Sequence, residues 1–125
     1  MIKIDSVLLI EDDEITNFIA RMILEGLKIK NIYSAVNGKE GLLLLEKHNP
    51  DLVLLDISMP VMDGFQFLEA KTHMNLCPGT KISMLTSSVR KEDQIRAGLF
   101  KNVIAYLEKP ITHEKMLHLQ KLMIE

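Results

Sequence analysis

The chain has 125 residues, 47% hydrophobic and 26% charged, the balance of one globular domain that can bury a core without metal or disulfide support. Its 15 Lys and Arg against 17 Asp and Glu leave a net charge of −2, so no basic field supports nucleic-acid binding, and 5% aromatics with no Trp argues against base-stacking platforms. The single cysteine, Cys77, cannot form an internal disulfide, no apolar run approaches the roughly 20 residues of a membrane span, and Met1–Asp5 carries no signal-peptide pattern, so a cytoplasmic chain without membrane contact is expected.

Strand-like and helix-like segments alternate from the start. Val7–Ile10 is a continuous apolar run that reads as a buried strand. Residues 14 to 27 show helical periodicity, with Ile15, Phe18, Ile19, Met22 and Ile23 on one side, Ile15, Phe18 and Ile19 as core candidates, and Gly26 near the end as a stop. One edge of that stripe could instead face a histidine-bearing partner. Ile32–Val36 forms a short second strand, after which Asn37 and Glu40 have the spacing of a capping box for a helix over Lys39–Lys47. That helix must end before Asn49-Pro50, because the residue preceding proline disfavours the α region.

Leu52–Leu55 is the third strand. Asp63, with Gln66 three residues on, caps a helix from Gly64 to about His73. A loop over residues 75 to 80 contains Pro78-Gly79. Lys81–Leu85 is the fourth strand, Lys91–Gly98 a charged helix and Val103–Leu107 the fifth strand. Thr112 caps a last helix that runs on to the C-terminus. Five strand–helix alternations predict an α/β fold with a parallel sheet, helices on both faces and right-handed crossovers, in one domain over residues 1–125 with no second, output domain.

The strand ends carry the chemistry. The first strand ends in Glu11-Asp12-Asp13, the third in Asp56, the fourth in Thr86-Ser87-Ser88 and the fifth in Glu108-Lys109-Pro110. In a parallel sheet these ends share one edge, and ligands gather beyond the carboxyl ends of the strands. Carboxylates without His or Cys among them suit a hard divalent cation such as Mg²⁺. A carboxylate can also attack phosphorus, with a metal and a lysine offsetting the charge of the transferring group. Asp13 and Glu14 read rather as the solvated, acidic first turn of a helix. His48, His73, His113 and His118 share no metal-ligand spacing and read as surface residues, and Cys77 sits in a Pro/Gly loop.

Glu11-Asp12, Asp56 with Met59-Pro60 and Asp63-Gly64, Thr86-Ser87, and Tyr106 with Lys109-Pro110 together resemble the receiver domain of two-component response regulators, over essentially the whole chain. The resemblance implies a flavodoxin-like (βα)5 doubly wound parallel sheet of order 2-1-3-4-5. It implies Asp56 as phosphoacceptor, with Mg²⁺ held by Glu11, Asp12, Asp56 and the backbone carbonyl of Ser58. Lys109, ahead of a cis-proline, contacts the phosphoryl group, and Thr86 and Tyr106 form a switch pair. Ser58 and Ser88 flank the crevice and are candidates to tune hydrolysis. A sensor histidine kinase or histidine phosphotransfer protein would supply the phosphate, and a separate effector protein would read the output. The chain departs from the pattern where Glu11 stands in place of a common Asp, where Ser87 replaces a frequent Ala, and where Phe100-Lys101-Asn102-Val103-Ile104-Ala105 replaces the usual loop before the fifth strand.

Two other functions fit parts of the pattern. A Mg²⁺-dependent aspartate phosphohydrolase would use the same nucleophile, but the second acid common two residues later in such enzymes is Ser58 here, and the chain has no length for a substrate cap. A non-phosphorylated adaptor of the same fold would have no need of Glu11, Asp12, Asp56, Thr86 and Lys109 together.

Overall fold

The computed structural model describes residues 4–124. Five strands and five helices alternate: β1 (Ser6–Ile10), α1 (Glu14–Gly26), β2 (Asn31–Ala35), α2 (Gly38–His48), β3 (Leu52–Leu55), α3 (Gly64–Met74), β4 (Lys81–Thr86), α4 (Lys91–Gly98), β5 (Val103–Glu108) and α5 (His113–Leu122). The strands form one parallel sheet in the order β2-β1-β3-β4-β5. This is the doubly wound, flavodoxin-like arrangement expected from the sequence.

Side chains alternate across a strand, so each central strand feeds two cores. Val7, Leu9, Leu52 and Leu54 pack with Ala20 and Leu24 of α1 and Met116 and Leu119 of α5. Leu8, Ile10, Val53, Leu55 and Met84 point the other way, against Leu45 of α2, Phe65, Phe67 and Leu68 of α3 and Ala97 of α4. Strand β3 is buried along its whole length, which is why its sequence is an unbroken apolar run. Fully burying one such side chain contributes about 1.5–3 kcal/mol, so the two cores dominate the stability of the fold.

The expected core face of α1 is corrected. Ile15, Phe18, Ile19 and Met22 are exposed, at 70%, 65%, 39% and 54%. The helix turns Ala20 and Leu24 to the sheet, with Ile23 and Leu27 at the flank. Small Ala20 and polar Asn17 on the inner stripe weakened its apolar signal, while the larger residues lie outside. The stop also differs. Gly26 adopts no positive φ; Lys28, at φ 63°, makes the left-handed turn.

Other boundaries move by a residue for local reasons. Strand β2 ends at Ala35, and Val36 is exposed beyond it. At α2 the Asn37 side chain accepts from Glu40 N at 2.8 Å, but Glu40 Oε1 accepts from Val36 N at 3.1 Å, so the reciprocal half of the box lands one residue early. The box at α3 is complete: Asp63 Oδ1 accepts from Gln66 N and Gln66 Oε1 from Asp63 N. Thr112 caps α5 through Lys115 N at 3.1 Å.

Gly64 is required by close approach. A Cβ there would collide with the carbonyl oxygen of Asp56 and lie 3.0 Å from Ile57 Cα. The start of α3 is thereby pressed against the backbone that carries Asp56, and Gly64 N donates to Ile57 O at 2.8 Å. The loop before β5 also takes its own form. Ile82 pairs with Val103 but Ser83 with Ala105, a bulge that displaces one residue of β5. Asn102 Nδ2 bonds Pro78 O at 2.8 Å, tying this loop to the one before β4.

Candidate functional site

Three of the expected site residues stand one position beyond a strand, each held by one more ladder-like bond. Glu11 N donates to Ala35 O at 2.9 Å, Asp56 N to Ile10 O at 3.0 Å and Lys109 N to Thr86 O at 2.9 Å. The apolar strands therefore fix the backbone of each polar group at one edge of the sheet. Thr86 is itself the last residue of β4 and is buried.

Glu11, Asp12 and Asp56 each bring a carboxylate oxygen within 4.8 Å of the others, with Glu11 and Asp56 buried and Asp12 exposed. Lys109 Nζ lies 2.5 Å from Glu11 Oε1 and 3.1 Å from Asp56 Oδ2. Asp56 Oδ1 accepts from Ile57 N at 2.8 Å, which fixes one carboxylate oxygen and leaves the other facing the lysine. Lys109 precedes a cis peptide bond to Pro110, as the sequence resemblance implies.

The electrostatics follow from burial and crowding. Burial pushes the Glu11 carboxyl above its ordinary range; Lys109 and the Asp13 N–H oppose this, and the Asp56 charge adds to it. Burial also works against the charge on Lys109, but Glu11 and Asp56 outweigh it and hold the ammonium above the usual lysine value. Glu11 Oε1 has Lys109 as an ion-pair partner but no hydrogen bond of good angle. Three close carboxylates facing one lysine leave negative charge in excess. The donor set therefore fits a hard divalent cation such as Mg²⁺, which prefers carboxylate and water oxygens.

Thr86, Ser88 and Tyr106 form one linked unit. Ser88 N donates to Thr86 Oγ1 at 3.2 Å, and the Tyr106 hydroxyl donates to Ser88 O at 3.1 Å. The Ser88 hydroxyl donates to Asp93 Oδ2 at 2.7 Å and accepts from Arg90 N at 3.3 Å, tying the loop to the first turn of α4. Ser58 lies exposed in the loop that follows Asp56.

Sequence reasoning missed two supporting residues. Asn17 Nδ2 donates to the carbonyl of Glu11 at 2.8 Å, holding the acidic loop to α1. Its signal is a lone amide three residues before Ala20 and seven before Leu24, on the buried stripe of the helix. Asp93 is the other; an acid in the first turn of a helix that lacks a side-chain cap was its clue. Tyr33 and His48 stack with ring centroids 3.8 Å apart, which places that histidine in packing rather than at the site.

The family model of the response regulator receiver domain matches residues 7–121. The transcriptional regulatory protein HptR of Staphylococcus aureus is 32% identical over 105 residues, covering 77% of this chain and 40% of that protein. The sensor histidine kinase CheAY of Helicobacter pylori is 36% identical over 110 residues, covering 86% of this chain and 13% of its own length. The chain thus spans less than half the length of these curated relatives. Among solved structures, a two-component response regulator from Cytophaga hutchinsonii superposes with a TM-score of 0.84 at 29% identity, over 99% of this chain and all of that one. Chemotaxis response regulator CheY4 of Vibrio cholerae gives a TM-score of 0.82 at 26% identity, over 97% of this chain and all of that one.

Proposed function

Because the chain belongs to the response regulator receiver domain family, we propose that it is a phosphoacceptor switch in which Asp56 takes a phosphoryl group from a phosphohistidine. Proteins of this family are signalling switches that work with histidine kinases and downstream effectors. The observation that carries the reading is the buried Asp56 carboxylate, with Glu11 and Asp12 oxygens within 4.8 Å and Lys109 Nζ at 3.1 Å.

The Ile57 N–H anchors Asp56 Oδ1, so the oxygen facing Lys109 is the one free to attack. The new O–P bond forms as the P–N bond to histidine breaks, and the imidazole leaves with that electron pair. Lys109 lies where charge builds on the transferring oxygens. Glu11, Asp12, Asp56 and the backbone carbonyl of Ser58 would hold Mg²⁺. The bound cation would supply further charge neutralisation at the phosphoryl group. Thr86 keeps its hydroxyl proton for a phosphoryl oxygen, since its Oγ1 accepts from Ser88 N. Movement of that hydroxyl would pull on Ser88 and hence on the Tyr106 contact, which biases a two-state equilibrium on the α4–β5–α5 face.

Ser58 and Ser88 are the residues proposed to set how long the phosphate lasts. The exposed apolar side chains of Ile15, Phe18, Ile19 and Met22 beside the acidic loop suit docking of a kinase or phosphotransfer helix. The lone thiol and the absence of a helix long and apolar enough to cross a membrane, among the described residues, are consistent with a cytoplasmic role. With a net charge of −2, output is proposed to run through a protein effector rather than nucleic acid.

Incubation with Mg²⁺ and acetyl phosphate, followed by intact mass measurement, tests the reading. One phosphoryl group is expected on the wild type and none on Asp56→Asn. A wild type that takes no phosphate, or an Asp56→Asn variant that is still labelled, overturns it.

A further inference from the structure

A cavity of about 390 Å³ lies between the end of α3, the loop before β4 and the turn from α4 into β5. It belongs to the opposite edge of the sheet from Asp56. Ile82, in its wall, is four residues before Thr86, or roughly 13 Å along the strand. The loop before β5, whose sequence departs from the receiver pattern, supplies Phe100, Lys101 and Asn102 to its lining.

Lys71 is the unusual component. It stands on α3 three residues after Leu68 and four after Phe67, on the buried stripe where an apolar side chain belongs. It is only 5% exposed. None of the hydrogen bonds or ion pairs among the described residues uses its ammonium group. Its Nζ is not among the buried atoms left without a partner, so the stem is buried while the head reaches the open volume of the cavity, with no carboxylate of the described residues paired to it. Burial pushes this ammonium below the usual lysine value, opposed only by the Cys77 sulfur. The rest of the wall is largely apolar, from Leu68, Leu76, Leu99 and Phe100, and Lys101 at the rim adds a second positive charge. A void of this size is within the range of small-molecule sites, which are mostly apolar with a few placed polar groups.

We propose that this cavity binds a small organic anion, with its carboxylate paired to Lys71 and its apolar body against Leu76, Leu99 and Phe100. The ligand supplies the counter-charge that the fold leaves out. Lys101 draws the anion to the mouth, and Leu99, the exposed residue that ends α4, closes over its tail.

Titration of the full chain with hexanoate, followed by amide ¹H–¹⁵N shifts, tests the assignment, with neutral hexanamide as control. Saturable shifts are expected at Lys71, Leu76, Phe100 and Asn102 with hexanoate, and at least tenfold weaker binding of hexanamide. Lys71→Met, which keeps the length and apolar character of the stem, should weaken hexanoate at least tenfold. Lys101→Glu, an exposed change that leaves the core untouched, should weaken it severalfold. The proposal fails if hexanoate gives no saturable shift, if hexanamide binds equally, if the shifts centre elsewhere, or if Lys101→Glu binds as the wild type does.

Discussion

Lys109→Met removes the positive charge that lies between two buried carboxylates. Lys109 Nζ sits 3.1 Å from Asp56 Oδ2, an attraction of about 5 kcal/mol at an effective dielectric of 20. The Glu11 contact is closer still. Without the lysine, Glu11 and Asp56 face each other with oxygens at most 4.8 Å apart, a repulsion of about 3–4 kcal/mol on the same scale. Freeing Lys109 from its own desolvation offsets part of this, so the net loss should be about 3 kcal/mol near pH 8. The pH dependence supplies the check. Glu11 is already held above its ordinary value of 4.5, mainly by burial, and loss of Lys109 moves it higher. A carboxyl raised in the folded state contributes stability that is complete below its unfolded value and lost as pH rises through its folded value. The variant should therefore fall furthest behind the wild type in alkaline buffer and close much of the gap near pH 5. Urea denaturation followed by circular dichroism at both pH values measures this. A loss under about 1 kcal/mol near pH 8, or an equal loss at both, would refute the role of Lys109 as counter-ion to this pair.

Gly64→Ala should destabilise by about 3 kcal/mol or more, because its Cβ meets backbone that cannot swing aside, whereas Gly26→Ala, with nothing within 4 Å, should stabilise by up to about 1 kcal/mol. Paired urea melts give both values, and similar effects at the two glycines would contradict the packing described. Asp63→Ala deletes the side-chain half of the α3 capping box, the bond from Gln66 N, while the backbone N–H at 63 still serves Gln66 Oε1, and should cost about 1 kcal/mol, read as a shift of the urea midpoint at constant m-value. Lys71→Met should stabilise the free protein by about 1 kcal/mol at neutral pH, since it removes a partly desolvated ammonium that has no ion-pair partner among the described residues. Its advantage should shrink as pH rises through the lowered folded value of Lys71, because the wild type gains stability between that value and 10.5. A pH-independent difference between the two proteins counts against this.

Much of the fold was legible because the central strands β1, β3 and β4 are buried on both faces. A run such as Leu52-Val53-Leu54-Leu55 has few other uses, and Glu11 and Asp56 each follow directly on such a run, while Lys109 stands beyond Glu108 at the end of the half-buried β5. The caps at Asp63 and Thr112 were equally readable, since short polar side chains with free amides three residues on have one geometric solution. Helix α1 was not legible in the same way. Periodicity finds the apolar stripe of a helix but does not say whether the sheet or a partner covers it, and here the sheet takes Ala20 and Leu24 rather than the stripe of Ile15, Phe18, Ile19 and Met22. Lys71 was hidden for the converse reason, because composition assigns lysine to the surface while its helical position assigns it to the core. The contacts of Ser88 depend on a loop whose path no local pattern specifies.

Thr86 and Tyr106 are joined through the amide and carbonyl of Ser88, not through its side chain. Any amino acid with an N–H would preserve that wiring. The side chain at 88 is therefore free to vary under selection, and with it the grip on Asp93 and the chemistry beside the crevice. On the proposed role of Ser88 in phosphate lifetime, a lineage could lengthen or shorten the memory of a signal by substituting this one position while the path from hydroxyl to ring stayed intact. Under that proposal, timing would lie in the side chain and transmission in the backbone of one residue, so the two could evolve apart.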